Sequence, residues 1–251
     1  MKLMRVEHAG FEIDHRVSVG STNEEVRILA DQGAEDRTVV WADTQTAGKG
    51  RRGRKWSSPI GNMYVSLLLR PLCEVSQAAQ ISLVAALGLG DAIGQFISPE
   101  RVTNKWPNDV LIDGKKVAGL LLESSANYSG EINWVIVGCG ANISSFPKVA
   151  DYATTCLCDA AERSIKVEEI LMCFIDCFDQ RYSTWLESGI AKIRKSWLER
   201  GHHIGREITV RLPAEEKRGV FEGLNKDGAL ILSLPNGERE LVTAGDVFAA
   251  I

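Results

Sequence analysis

No apolar run in these 251 residues approaches the roughly 18 needed to cross a bilayer, and Met1 to Ala9 lack the apolar core of a secretory signal. A helical membrane protein is excluded by the first absence, and both point to a cytoplasmic chain. There is no broad basic face either. The net charge is −4 and the isoelectric point is near 5.7, which argues against a general nucleic-acid binder. No second Cys or His pair at zinc spacing follows Cys156 and Cys158, so no structural metal site is expected. The six cysteines are expected to stay reduced, with Cys173 and Cys177 as small core residues on one helix face. Internal repeats and low-complexity segments are absent.

What is present suits one large globular domain, or one plus a small appendage. Hydropathy alternation and turn residues predict strands over 12–18, 37–42, 63–69, 102–105, 110–112, 116–123 and 134–138. Helices are predicted from Ser21-Thr22-Asn23 to about Gln32, over 77–96, over 167–186 and over 190–199. Asp113-Gly114 between two apolar runs is a hairpin signal. After Gly205 the texture changes to short strands over 206–212, 217–224, 229–233 and 238–242, with turns at Lys226-Asp227-Gly228 and Asn236-Gly237. These last residues, about 46 in number, predict a β-barrel too small to be very stable alone, which should dock on the main domain.

The densest chemistry lies at Gln45-Thr46-Ala47-Gly48-Lys49-Gly50-Arg51-Arg52-Gly53-Arg54-Lys55-Trp56. Five of the seven residues from Lys49 to Lys55 are basic and the other two are glycine. Glycine lets a backbone approach a ligand closely, and the cations call for an anion such as a polyphosphate or acyl phosphate. A solvated charge run is the plain alternative. Like charges and glycines also predict that Gly48 to Lys55 is mobile until an anion orders it. A second motif, Lys105-Trp106-Pro107-Asn108-Asp109, holds polar groups at both ends of a proline-stiffened bend, or is an ordinary turn with an ion pair. Lys116 then enters a strongly apolar strand, where a buried lysine requires a partner unless it reaches the surface. Gly138-Cys139-Gly140-Ala141-Asn142 ends a strand. Asn142 suits either an adenine edge or a turn cap, and Ser21-Thr22-Asn23 either a ligand site or a helix N-cap.

In this order, the motifs resemble the biotin protein ligase family, in its short form without an N-terminal DNA-binding domain. The likeness runs from about Phe11 onward and includes Gly228-Ala229-Leu230 and Gly245-Asp246-Val247. It implies an α/β (α+β) architecture: a mixed-sheet, class II synthetase-like catalytic domain of the biotin–lipoate ligase type over 1–203, then an SH3-like barrel over 204–251. It also implies an enzyme that uses ATP and Mg2+ to make biotinyl-5′-AMP. The biotinyl group then passes to a lysine of a biotin carboxyl carrier domain, as of acetyl-CoA carboxylase.

Carried over by position, Ser21, Thr22, Asn23 and Gln45 would hold the ring and ureido group of biotin. Lys49, Gly50 and Arg51 would close over biotin and the acyl phosphate. Lys116 would meet the biotin carboxyl group beside Gly119. Arg51, Arg54, Trp56, Lys105, Asn108, Asp109 and Asn142 would serve ATP, with Arg51, Lys116 and Asp109 as the catalytic set and Asp109 a candidate base. Lys49 departs from the arginine that many relatives carry there, which loses bidentate geometry. Only about ten residues precede the first matching strand, so no DNA binding is expected. Pairing of edge strands into a homodimer and the metal ligands stay open. The rivals are a lipoate or octanoate ligase or transferase of the same fold, for which Cys139 would have to be a nucleophile, and a non-catalytic biotin-binding protein.

Overall fold

The computed structural model describes residues 4–148, 152–212 and 214–249. Its frame is an eight-stranded mixed sheet. Strands β1 (Met4–His8) and β2 (Phe11–Val19) form a hairpin, and helix α1 (Thr22–Asp31) carries the chain to β3 (Thr38–Gln45), parallel to β2. Strand β4 (Met63–Leu69) follows, its seven residues all buried. Next come α2 (Val75–Ala78) and α3 (Ile81–Ile93), then β5 (Val102–Lys105), β6 (Asp109–Ile112), β7 (Lys115–Ala126) and β8 (Ile132–Ala141). The sheet order is β1-β2-β3-β4-β8-β7-β6-β5.

Helices α4 (Leu157–Ala161), α5 (Val167–Ser188) and α6 (Ile190–Glu199) complete this part. One face of the sheet packs on α3 and α5. Gly88 makes that approach close, since a Cβ there would lie 2.8 Å from Phe178 Cα. The other face carries α1, sealed by Val26, Ala30, Val40, Leu68, Trp134 and Ile136.

A second sheet of five antiparallel strands follows: β9 (Glu207–Arg211), β10 (Glu216–Leu224), β11 (Leu230–Ser233), β12 (Arg239–Val242) and β13 (Asp246–Ala249), in the order β12-β11-β10-β9-β13. Its inward residues Ile208, Val210, Phe221, Leu230 and Val247 belong to the same apolar cluster as the large sheet. The small module is therefore docked, as its size requires. Trp106 Nε1 donates to Gly228 O at 3.2 Å across the junction.

The single helix expected over 77–96 is two. The backbone tightens at Ala79–Gln80 into i,i+3 hydrogen bonds, and Gln80 Oε1 accepts Trp185 Nε1–H at 2.9 Å. Strands β1 and β13 are elements that sequence patterning did not mark as strands. The hairpin at Asp113-Gly114 forms as expected, with φ of 49° and 74°. All six cysteines are free thiols.

Candidate active site

The candidate site is a cleft of about 110 Å3 over the glycine-lined surface of β7 and β8, bounded by the start of α1, the end of β3, the basic loop and Asp246 of the small module. The glycines clear its floor. A Cβ on Gly140 would lie 2.5 Å from Trp56 Cε2, and one on Gly119 would lie 3.2 Å from Trp56 Cζ3. The Trp56 indole rests where those side chains would be. Its Nε1 is buried with no hydrogen-bond partner among the described residues. A Cβ on Gly138 would lie 2.0 Å from Asn23 Oδ1, so Asn23 and a side chain at 138 cannot coexist.

A β-bulge decides where Lys116 points. Asp109 pairs with Gly119 and Val110 with Ala118, but Leu111 then pairs with Lys116, leaving Val117 as the extra residue. Regular alternation would set residues 116 and 119 on opposite faces. The bulge instead brings Lys116 onto the face of Gly119, where a Cβ would be 3.3 Å from Lys116 Nζ. Lys116 does not snorkel outward. Its Nζ lies 2.6 Å from Asp109 Oδ1, 5.6 Å from the Trp56 ring and 5.2 Å from the Tyr152 ring, and its side chain is 15% exposed. The segment bearing Tyr152 is tied to this strand: Lys116 N donates to Ala153 O and Thr155 N to Lys116 O.

The basic loop, expected to be mobile, is folded in the structure. Arg51–Gly53 form a short 3-10 turn in which Arg52 adopts φ 55°, a left-handed conformation that the neighbouring glycines help the chain to reach. Arg51, Arg52 and Arg54 all converge on Asp246, Arg51 at 3.6 Å, Arg52 at 3.4 Å and Arg54 most closely. Arg51 Nη1 also donates to Asn108 Oδ1 at 3.1 Å and to Gly245 O at 3.2 Å. Burial lowers the Arg51 guanidinium from its ordinary value, and Asp246 opposes that shift. Lys49 stays at the rim, 3.6 Å from Glu24.

The other end of the cleft is a polar network. Thr22 N donates to Gln45 Oε1 at 2.8 Å, Gln45 Nε2 to Ser58 Oγ at 3.0 Å, and Ser66 Oγ to Asn23 Oδ1 at 2.6 Å. Ser21 stands at the N-cap of α1 but makes no side-chain cap bond, so helix capping does not account for this tripeptide.

Of the residues expected here, Ser21, Thr22, Asn23, Gln45, Lys49, Gly50, Arg51, Arg54, Trp56, Asn108, Asp109, Lys116 and Gly119 line the cleft together. Two do not. Lys105 lies in the adjoining crevice, its Nζ 5.3 Å from the Phe248 ring, and burial lowers its ammonium below the ordinary lysine range against the pull of Asp109. Asn142 is 3% exposed, lies outside the cleft lining, and its amide donates to Thr155 O at 3.1 Å, tying down the loop. Sequence reading missed Asp246 and Tyr152 as cleft residues, together with Ser66 and Glu123 behind it. Cys139 is buried, and burial pushes its thiol up, which removes the thiolate a transferase nucleophile requires.

Residues 18–142 match the model of the biotin/lipoate A/B protein ligase family, and residues 203–249 match that of the biotin protein ligase C-terminal domain. A biotin–[acetyl-CoA-carboxylase] ligase of Paracoccus denitrificans is 42% identical over 235 residues, 91% of this chain and 96% of that protein. A bifunctional ligase/repressor of Bacillus subtilis is 31% identical over 96% of this chain and 75% of its own length. Among solved structures, the biotin protein ligase of Aquifex aeolicus in complex with biotin and ATP superposes with a TM-score of 0.80 at 25% identity, covering 95% of this chain and 99% of that one.

Proposed function

The chain belongs to the biotin protein ligase family, and from that premise we propose how its cleft performs the family's two half-reactions. The protein is an ATP-dependent biotin ligase that makes biotinyl-5′-AMP and passes the biotinyl group to a lysine of a biotin carrier domain. The observation that carries the residue assignment is the meeting, in one cleft, of the Thr22–Gln45 network with the cations around Lys116 and Arg51.

In the first step a biotin carboxylate oxygen attacks the α-phosphorus of ATP and pyrophosphate leaves. Two anions must approach each other for this. Lys116 at the carboxylate, with Arg51 and Arg54 at the phosphates, offsets their repulsion and the charge that builds in the transition state. In the second step the carrier lysine attacks the acyl carbon and AMP leaves. That lysine must lose its proton, and Asp109 is the acceptor we assign, once ligand charge has taken Lys116 from it. The basic loop shields the adenylate from water between the steps.

Mg2+ belongs to the same proposal. Among the described residues no three His, Cys, Asp or Glu side chains are grouped to hold an ion. The ion would therefore enter on the nucleotide phosphates, its usual mode, with Asp109 as the cleft carboxylate available to it. Bound there, it would neutralise phosphate charge.

The boundary at 203–204 is supported by α6 ending at Glu199 and β9 starting at Glu207. The carrier as a carboxylase subunit, a cytoplasmic location and the lack of sequence-specific DNA binding are further parts of the reading. The overall negative charge supports the last of these, and no helix among the described residues is long and apolar enough to cross a membrane. The test is incubation of the chain with biotin, MgATP and a biotin carrier domain. One lysine of the carrier should gain one biotinyl group by mass, and biotin should drive ATP–pyrophosphate exchange where lipoate does not. Absence of both half-reactions defeats the proposal.

A further inference from the structure

Glu123, near the far end of β7, does not line the cleft, yet it sets the direction of the hydrogen bonds that do. Asn23 Nδ2 donates to Glu123 Oε2 at 2.7 Å and faces Leu121 O at 3.4 Å. A carboxylate and a carbonyl only accept, so the amide nitrogen of Asn23 is held on that side and its oxygen must face Ser66. Ser66 has one hydroxyl hydrogen, and it goes to Asn23 Oδ1 at 2.6 Å. Ser66 Oγ also lies 2.8 Å from Thr22 Oγ1, and with its own hydrogen spent it can only accept there. The Thr22 hydroxyl hydrogen is thus drawn inward. Gln45 Oε1, 3.2 Å from Thr22 Oγ1, is served instead by Thr22 N–H at 2.8 Å. What remains for the cleft is a Thr22 Oγ1 lone pair beside Gln45 Oε1, so this wall of the pocket accepts hydrogen bonds.

We infer that Glu123 is a positioning residue that, through Asn23 and Ser66, fixes Thr22 Oγ1 as an acceptor and so tunes the pocket to a ligand N–H, here the ureido group of biotin. This rests on the ligase reading above. The inference also reassigns Asn23, whose amide is engaged within the protein and which acts on the ligand through its neighbours. With Glu123 replaced by glutamine, a side chain that can both donate and accept, Asn23 loses its fixed sense. The chain can then reverse and turn the Thr22 hydroxyl hydrogen toward the incoming N–H.

The experiment is steady-state ATP–pyrophosphate exchange by the full chain, varying biotin and ATP separately. For Glu123→Gln the KM for biotin should rise about tenfold, the scale of one misdirected hydrogen bond, while kcat and the KM for ATP stay within about twofold. Ser66→Ala, which cuts the relay at its middle hydroxyl, should give the same signature. Thr22→Val removes the acceptor itself. The Glu123→Gln/Thr22→Val double variant should be no weaker for biotin than the worse single variant, because both changes act on one atom. The inference is overturned by an unchanged biotin KM in Glu123→Gln, by an equal shift in the ATP KM, or by additive effects in the double variant. A wild-type chain with no biotin-dependent exchange would instead overturn the ligase reading on which the inference stands.

Discussion

Asp109 Oδ1 and Lys116 Nζ lie 2.6 Å apart across a β-ladder that is one residue out of step. The extra residue, Val117, turns Lys116 from the helix-covered side of the sheet to the face that Asp109 and Gly119 share. The lysine is thereby positioned, partnered and largely shielded before any ligand arrives. In the proposed reaction its ammonium passes from this protein carboxylate to the ligand's without being buried unpaired, the state that would cost most.

Lys116→Ala should abolish adenylate formation and leave the fold intact. Losing one cation aimed at developing charge costs about 2.7–4 kcal/mol, or roughly a hundred- to thousandfold in rate. Pyrophosphate exchange reads the loss, and an unchanged circular dichroism spectrum at 25 °C reads the fold, with a lowered melting temperature expected because Asp109 loses its cation. Exchange at the wild-type rate would show that this lysine does not serve the reaction.

Asp246→Asn should open the basic loop. Three arginines share that single carboxylate, and without it they repel. Loss of about 1 kcal/mol of ion pairing raises the open fraction roughly fivefold. Trypsin cleavage after Arg51, Arg52 or Arg54 should speed up accordingly, and biotinyl-5′-AMP should restore protection. Equal cleavage rates in both proteins would mean that Asp246 does not latch the loop.

Arg51→Gly should weaken retention of the adenylate more than its synthesis. Arg51 ties the loop to Asn108 and Gly245 as well as to Asp246, so its loss loosens three anchors together. Escaped biotinyl-5′-AMP acylates amines without selection. The measurement is biotin incorporation into a bystander protein that lacks a carrier domain. Labelling no greater than with wild type, while adenylate is still made, would rule out the lid role.

The junction between the two parts should be acid-sensitive. Burial lowers His202 from 6.5 to about 4, with His203, Lys105 and Arg206 adding to the shift, and His202 N donates to Asn104 O at 2.8 Å. As pH falls from 6.5 to 4, the unfolded chain takes up a proton at this histidine before the folded chain does, so stability falls through that window and levels off below it. His202→Gln should flatten the melting temperature between pH 6.5 and 4. A slope equal to that of wild type would remove His202 from the account.

Local signals carried much of the fold and site, and remote encounters carried the rest. Asp113-Gly114 specifies its hairpin by backbone preference alone, and the glycine-spaced cations from Lys49 to Lys55 mark the loop that walls the cleft. The break before α3 was not legible, because Gln80 leaves the helix pattern to meet Trp185, 105 residues downstream. The burial of Asn142 was not legible either, because its amide finds the backbone carbonyl of Thr155, which periodicity cannot foresee. Strand β1 does alternate, Met4 and Val6 against Arg5 and Glu7, but two apolar residues in five are too short a pattern to mark a strand. Asp246 and Glu123 look like ordinary surface carboxylates in the sequence, and only the folded chain sets them against Arg54 and Asn23.

The loop's counterion comes from β13, 192 residues after Arg54. At ordinary rates of synthesis the arginines are added to the chain roughly 10–40 s before Asp246 is. Over that interval the nascent sheet can assemble, but its lid has no latch. On the proposed reading, competence to hold a reactive acyl phosphate arrives only once β13 is made.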